Sequence, residues 1–219
     1  MNAADWTAVD DYIAQHLLGD DDALSAALIN NRTRGLPSID VSAAQGKMLH
    51  LLARMAGARR ILEIGTLGGF STIWLARALP AGGKVVTLEI DPTHAGIARA
   101  NVEAAGVGNR VDIRVGLAID SLIDMTDEAP FDFIFIDADK ASNVDYVREA
   151  IRLGRSGTTI IVDNVVREGQ VLDGSSKDEM IVGTRRLFEM LRQEERLDAT
   201  AIQTVGSKGW DGFVLALVR

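Results

Sequence analysis

The sequence predicts an α/β fold, a mostly parallel sheet with helices on both faces. Two observations predict it. From Arg60 onward, short apolar runs at Ile61–Ile64, Val85–Leu88, Val111–Val115, Phe131–Ile136 and Thr158–Val162 alternate with helical patterns. Short apolar strands spaced by helices are the pattern of a parallel sheet covered on both sides. A last helix is then followed by two strands joined by a short glycine-rich link, which reads as an antiparallel hairpin.

The elements follow in order. The first 35 residues read as two short helices. Ala8, Ile13, Leu17 and Leu18 mark the first apolar stripe, and Ala23, Leu24, Ala27 and Leu28 the second, with Gly19 and Gly35 as stops. A third helix starts after Pro37. Ser42 is its N-cap, Gln45 completes a capping-box pattern, and Met48, Leu49, Leu52 and Met55 form a core stripe ending at Gly57. Helices at Ser71–Ala78, Thr93–Ala105 and Asn143–Leu153 connect the strands, and Ala118–Met125 reads as a short or irregular link. The tail carries a helix at Asp178–Arg192 and strands at Ala199–Val205 and Phe213–Val218, with Gly206–Gly212 between them. No repeat or linker interrupts this order, so residues 1–219 are expected to be one domain, the first 35 a helical extension.

Composition narrows the chemistry. With 219 residues and 47% hydrophobic content the chain can bury one well-formed core. It has no cysteine, so disulfides and thiolate chemistry are excluded. His16, His50 and His94 are far apart in sequence and are expected to be structural or exposed. A metal would therefore be held by oxygen ligands, which favours magnesium, manganese or calcium. The net charge of −8 and the lack of a basic stripe argue against a nucleic-acid partner. The N-terminus lacks the basic start and apolar run of a secretory signal, and no stretch has the roughly 18 to 20 apolar residues that span a bilayer. A cytoplasmic protein with a small-molecule partner is expected. Trp74 is expected in the core; Trp210, in the terminal hairpin, is expected to pack at a subunit interface, with a place beside the ligand pocket as the alternative.

In an open parallel sheet, ligands bind beyond the carboxyl ends of the strands. The first strand ends in Glu63-Ile64-Gly65-Thr66-Leu67-Gly68-Gly69, a turn that lets backbone approach a ligand, with Ser71 in the following helix. Its glycine spacing is not the G-x-G-x-x-G of dinucleotide sites. The second strand ends in Glu89, an acid placed to accept hydrogen bonds from ribose hydroxyls, with Asp91 the better cap for the next helix. The turn and Glu89 together imply an adenosine-type ligand. The fourth strand runs into Asp137-Ala138-Asp139-Lys140 and the fifth into Asp163-Asn164. Carboxylates and a carboxamide on one sheet edge suit a hard-cation site completed by water or substrate.

At these residues the sequence resembles the metal-dependent small-molecule O-methyltransferases, the family of the caffeoyl-CoA and catechol enzymes. The resemblance spans Leu36 to the C-terminus. It rests on Leu36-Pro37 with Val41-Ser42, on LEIGTLGGFST (62–72), VVTLEID (85–91), FIFIDADK (133–140) and IIVDNVV (160–166). It implies a Rossmann-like seven-stranded sheet in the order 3-2-1-4-5-7-6, with the last strand antiparallel. It also implies S-adenosylmethionine as cofactor and a divalent metal, Mg²⁺ foremost. Carried over by position, Val41, Glu63, Gly65, Thr66, Ser71 and Asp139 would meet the methionine part of the cofactor. Glu89 would meet its ribose and Ala118 its adenine. Asp137, Asp163 and Asn164 would hold the metal, and Lys140 with Asp137 would act on the hydroxyl proton. The N-terminal 35 residues and the loop 166–176 would shape the acceptor pocket, and the enzyme would be a homodimer.

The reaction so implied is in-line methyl transfer to a hydroxyl of a catechol-like or phenolic acceptor. Two readings compete: a nicotinamide-dependent dehydrogenase, disfavoured by the glycine spacing, and a cofactor-binding protein without catalysis. Methylation of nucleic acid or protein is disfavoured by the net acidity.

Overall fold

The computed structural model describes residues 3–128 and 130–219. Its centre is one seven-stranded sheet in the order β3-β2-β1-β4-β5-β7-β6, as the resemblance implied. The strands are β1 Arg60–Ile64, β2 Lys84–Glu89, β3 Val111–Val115, β4 Phe133–Ile136, β5 Thr159–Asp163, β6 Leu197–Gly206 and β7 Gly209–Val218. The first five pair in parallel, and β7 runs antiparallel to β5 and β6. The helices are α1 Ala3–Ile13, α2 Asp22–Thr33, α3 Ala43–Met55, α4 Phe70–Ala78, α5 Pro92–Ala104, α6 Ala118–Asp124, α7 Asn143–Leu153 and α8 Glu179–Gln193.

The period-two rule divides the core into two layers. Leu62, Ile64, Ile134, Ile136, Ile160 and Val162 face α6, α7 and α8, packing with Leu122, Val147 and Leu187. Ile61, Phe133, Phe135, Ile161 and Phe213 face the other side, with Leu24 of α2, Leu49 of α3 and Trp74 of α4. Glu63, Thr87 and Asp163 alternate onto this second face, so their carboxyl and hydroxyl groups lie under α3 and α4.

Several expectations change at the element ends. The segment read as an irregular link is α6, whose Leu122 is fully buried. The hairpin link is far shorter than the stretch 206–212: pairing continues to Gly206 and Gly209, leaving Ser207-Lys208 as the turn. Glycines at both ends of that turn hid the strand pattern. The stripe on α1 is not buried, with Leu17 in the π-helical turn Ala14–Leu18 exposed at 73%. Met55, expected in the core, is 81% exposed where α3 overruns the sheet. Trp74 is in the core as expected, and the imidazole of His50 is tied to the Trp74 carbonyl at 3.1 Å. Among the described residues, no helix is long and apolar enough to cross a membrane.

Candidate active site

The carboxyl ends of β1, β2, β4 and β5 open into two adjoining cavities. The larger, about 1050 Å³, begins at the turn after β1. Gly65 sits at φ 99°, and a Cβ there would stand 2.1 Å from the Asp137 carbonyl oxygen. Only glycine lets this turn touch the end of β4. Amides of Thr66 and Leu67 donate to Glu89 Oε2 at 3.2 and 2.7 Å, and Asp91 N donates to Oε1 at 3.0 Å. Glu89 therefore holds the turn to the end of β2. Asp91 caps α5 instead, accepting from Thr93 N at 2.7 Å.

Beneath the turn, Glu63 is fully buried and accepts from the hydroxyls of Ser71 (2.7 Å), Thr72 (2.5 Å) and Thr87 (2.7 Å). Burial pushes its pKa up to about 7 against those three hydrogen bonds, and the nearby charge of Asp137 adds to the rise. Thr87 spends its proton on Glu63, so the 2.6 Å contact between hydroxyls is Thr66 donating to Thr87. Val41, Gly65, Thr66, Ser71, Glu89, Ala118 and Asp139 all line the larger cavity. Glu63 differs from expectation: it lies behind Ser71 and orients that hydroxyl without reaching the wall.

Asp139 caps the turn that starts α7. It accepts from Ser142 N at 3.0 Å and from the Tyr146 hydroxyl at 2.5 Å. Burial raises its pKa, but these hydrogen bonds outweigh burial and hold the carboxyl below its usual range.

The second cavity, about 380 Å³, lies over β5. Asp137, Asp163 and Asn164 line it together, and Asp137 and Asn164 also face the larger cavity. Lys140 is buried and donates to Asp137 Oδ1 at 2.9 Å from the larger-cavity side. Asp163 is 5% exposed, and its Oδ2 accepts from Gln45 Nε2 at 2.7 Å. Burial, with the charge of Asp137 beside it, drives the Asp163 carboxyl upward, while Lys140 and Gln45 oppose the shift. Among the described residues no group of three acidic or histidine side chains could hold a metal. The donor set here is two carboxylates and one carboxamide.

Residues 21–217 match the family model described as O-methyltransferase. The chain belongs to the O-methyltransferase family. It is 56% identical over 211 residues to a catechol O-methyltransferase of Mycobacterium tuberculosis, covering 96% of this chain and 95% of that protein. It is 48% identical to a catechol O-methyltransferase of Niastella koreensis over the full length of both. The crystal structure of an O-methyltransferase from Bacillus cereus in complex with SAH superposes with a TM-score of 0.98 at 54% identity, covering all of both chains. The reading of a nicotinamide-dependent dehydrogenase is set aside by this membership, and so is that of a protein without catalysis.

Sequence reasoning missed several residues of this O-methyltransferase site. Gln45 was assigned to a capping box; Ser42 does cap α3 by accepting from Gln45 N at 3.1 Å, but the Gln45 side chain turns to Asp163. Arg167 lines both cavities. Asp211 Oδ1 collects the amides of Val166, Arg167 and Gly212 at 2.9 to 3.0 Å. Trp210 was not missed: it stands in the cleft wall, the second of the two places the sequence left open to it. His94 lines the larger cavity 3.7 Å from Glu89. The loop after β5 does border the smaller cavity, whereas residues 38–41, not the N-terminal 35, supply its other edge. The N-terminal segment acts from behind: Asn31 of α2 donates to Asp40 at 2.8 Å, and Asn101 of α5 donates to both Asn31 and the Gly68 carbonyl. No single motif marks these contacts, which join residues far apart in the chain.

Proposed function

We propose that this O-methyltransferase transfers the methyl group of S-adenosylmethionine to one hydroxyl of a small catechol-like acceptor, with a divalent cation held by Asp137, Asp163 and Asn164. The observation that carries the reading is the shared wall: Asp137 faces the cofactor-sized cavity and the smaller cleft at once. Two carboxylates confined side by side, one almost fully buried, share the single charge of Lys140, and with the Asn164 amide they suit a hard dication. When bound, such an ion would lower the pKa of an acceptor hydroxyl and fix its two oxygens.

The chain's own residues do the rest. Glu89 would accept from the ribose hydroxyls, Ser71 and the backbone at Val41 would meet the amino-acid end, and Ala118 would border the adenine. Gln45 holds Asp163 in place, and Lys140 orients Asp137. The hydroxyl proton leaves to solvent, and the Lys140 cation, paired with Asp137 at 2.9 Å, stays as a fixed positive charge beside the acceptor oxygen. The carbon–sulfur bond breaks as the carbon–oxygen bond forms, and the sulfonium becomes a neutral thioether. Holding the oxygen in line with the methyl carbon is worth on the order of 7 to 11 kcal/mol.

The test is S-adenosylhomocysteine formation from purified protein, S-adenosylmethionine and 4-methylcatechol, with Mg²⁺ or EDTA. Turnover abolished by EDTA and restored by Mg²⁺ is expected. Turnover indifferent to EDTA would retain the methyl transfer and remove the cation from it.

A homodimer is part of the reading. Val9 and Tyr12 on α1 and Ile202 and Val205 on the edge strand β6 are all exposed, and α1 is tied to the hairpin by Asp10, which accepts from Ser207 N at 2.7 Å. A long edge strand with apolar exposure favours a covering partner. Light scattering at the mass of one chain would count against it.

A further inference from the structure

We propose that the acceptor carries a carboxylate, recognised by Arg167 with Lys208 across the smaller cleft. This inference rests on the reading of that cleft as the acceptor site.

Arg167 is held in place by its backbone. It and Glu168 occupy left-handed conformations at φ 55° and 54°, followed by Gly169 at 81°. Such a run is unfavourable for residues with side chains and persists only when its surroundings enforce it. Asp211 enforces it by taking the amides of Val166 and Arg167 on one oxygen. The guanidinium that this strained segment delivers is not committed to the protein. Its nearest carboxylate contact is Asp211 Oδ2 at 4.0 Å, and its Nε, buried in this conformation, has no hydrogen-bond partner. The side chain is nevertheless about a third exposed at the cleft. An arginine whose buried Nε lacks a partner is costly to keep at a ligand cleft, and its planar fork matches a carboxylate.

Lys208, at the hairpin turn, lines the same cleft and has one weak contact, to the Ser38 carbonyl at 3.3 Å. The acids of the cleft are otherwise engaged. Asp137 and Asp163 hold Lys140 and Gln45 and face the cation site. Asp40 accepts from Asn31 at 2.8 Å and feels the charge of Lys208, while burial raises its pKa. Glu168 flanks Arg167 without an ion pair to it. Arg167 and Lys208 would attract a carboxylate and repel an ammonium group, with Trp210 as the wall for an aromatic ring.

A carboxylate could also come from the cofactor's amino-acid end, because Arg167 reaches both cavities. Lys208 borders only the smaller one, which assigns the group to the acceptor.

The experiment compares kcat/KM for 3,4-dihydroxybenzoate, 4-methylcatechol and 3,4-dihydroxyphenethylamine in wild type, Arg167→Gln and Lys208→Gln, with Mg²⁺ and saturating S-adenosylmethionine. Wild type is expected to favour the benzoate over 4-methylcatechol by about tenfold or more, the amine ranking last, since hydrogen bonds to charged groups are worth that much. This advantage should shrink as ionic strength rises to about 0.5 M. In Arg167→Gln the benzoate-to-methylcatechol ratio should collapse toward one. Equal or better turnover of the amine in wild type overturns the proposal, and does so even if the variants fail to fold. An unchanged ratio in a folded Arg167→Gln whose affinity for S-adenosylmethionine drops about tenfold would give the arginine to the cofactor, which also overturns it. If wild type methylates none of the three, the acceptor reading falls and this inference with it; methylation of 4-methylcatechol without a benzoate preference removes this inference alone.

Discussion

Asp163 and Glu63 are both carboxylates withdrawn from water, and they differ in what surrounds them. Asp163 has a second carboxylate and an amide for neighbours, the surroundings of the proposed cation site, and Glu63 has three hydroxyl donors. Asp163→Ala is therefore expected to lose methyl transfer while S-adenosylhomocysteine affinity, read by calorimetry, changes less than about threefold. Loss of both in a folded variant would show that the two cavities are not divided in this way. Glu63 makes a prediction about pH. Its pKa is raised from 4.5 to about 7 in the folded chain, so folding favours the protonated form. The associated stability is complete below pH 4.5 and is lost as pH climbs through 7, a decline of roughly 3 kcal/mol at most. In Glu63→Gln, urea midpoints at pH 5 and pH 8 should lie closer together than in wild type; parallel shifts would place the titration elsewhere. At this scale the sequence was legible where a strand end delivers a side chain directly, as with Glu89, Asp137 and Asp163. It was not legible for Gln45, whose partner lies more than a hundred residues away.

Turns do as much as strands to build the site. The glycine turn after β1, the 3-10 turn that carries Lys140 and the left-handed segment after β5 each hold one wall. Lys140's turn is pressed against α8 at Gly183, where a Cβ would come within 2.3 Å of the Lys140 carbonyl oxygen. Gly183→Ala is thus expected to displace that turn. It should lower stability by about 1 to 3 kcal/mol, as overpacking does, and reduce turnover more than cofactor affinity. A thermal midpoint equal to wild type would mean that α8 moves away freely. The sequence reading placed all seven strands because buried parallel strands are short and apolar and stand between capped helices. It missed the length of the hairpin strands, whose turn is bracketed by Gly206 and Gly209. It overestimated the burial of α1, where an apolar stripe faces away from the core.

For the molecule as a whole, the strand order decides where ligands can meet. β1 and β4 lie side by side at the point where the chain reverses direction across the sheet, and the turn after one touches the end of the other. The fold was legible because this order serves so many buried hydrophobic contacts; the acceptor's identity was not, because its cleft is assembled from residues 38–41, the loop after β5 and the hairpin tip. The contact between Gly65 and Asp137 also has a kinetic meaning. It brings the two cavities together along shared residues, Asp137 and Asn164 among them, and the chain has no cysteine to carry a methyl group between them. Both reactants must then be present together, and double-reciprocal plots at several fixed acceptor concentrations should intersect. Parallel lines, the mark of a ping-pong cycle through a methylated enzyme, would mean that a side chain of the protein takes up the methyl group first.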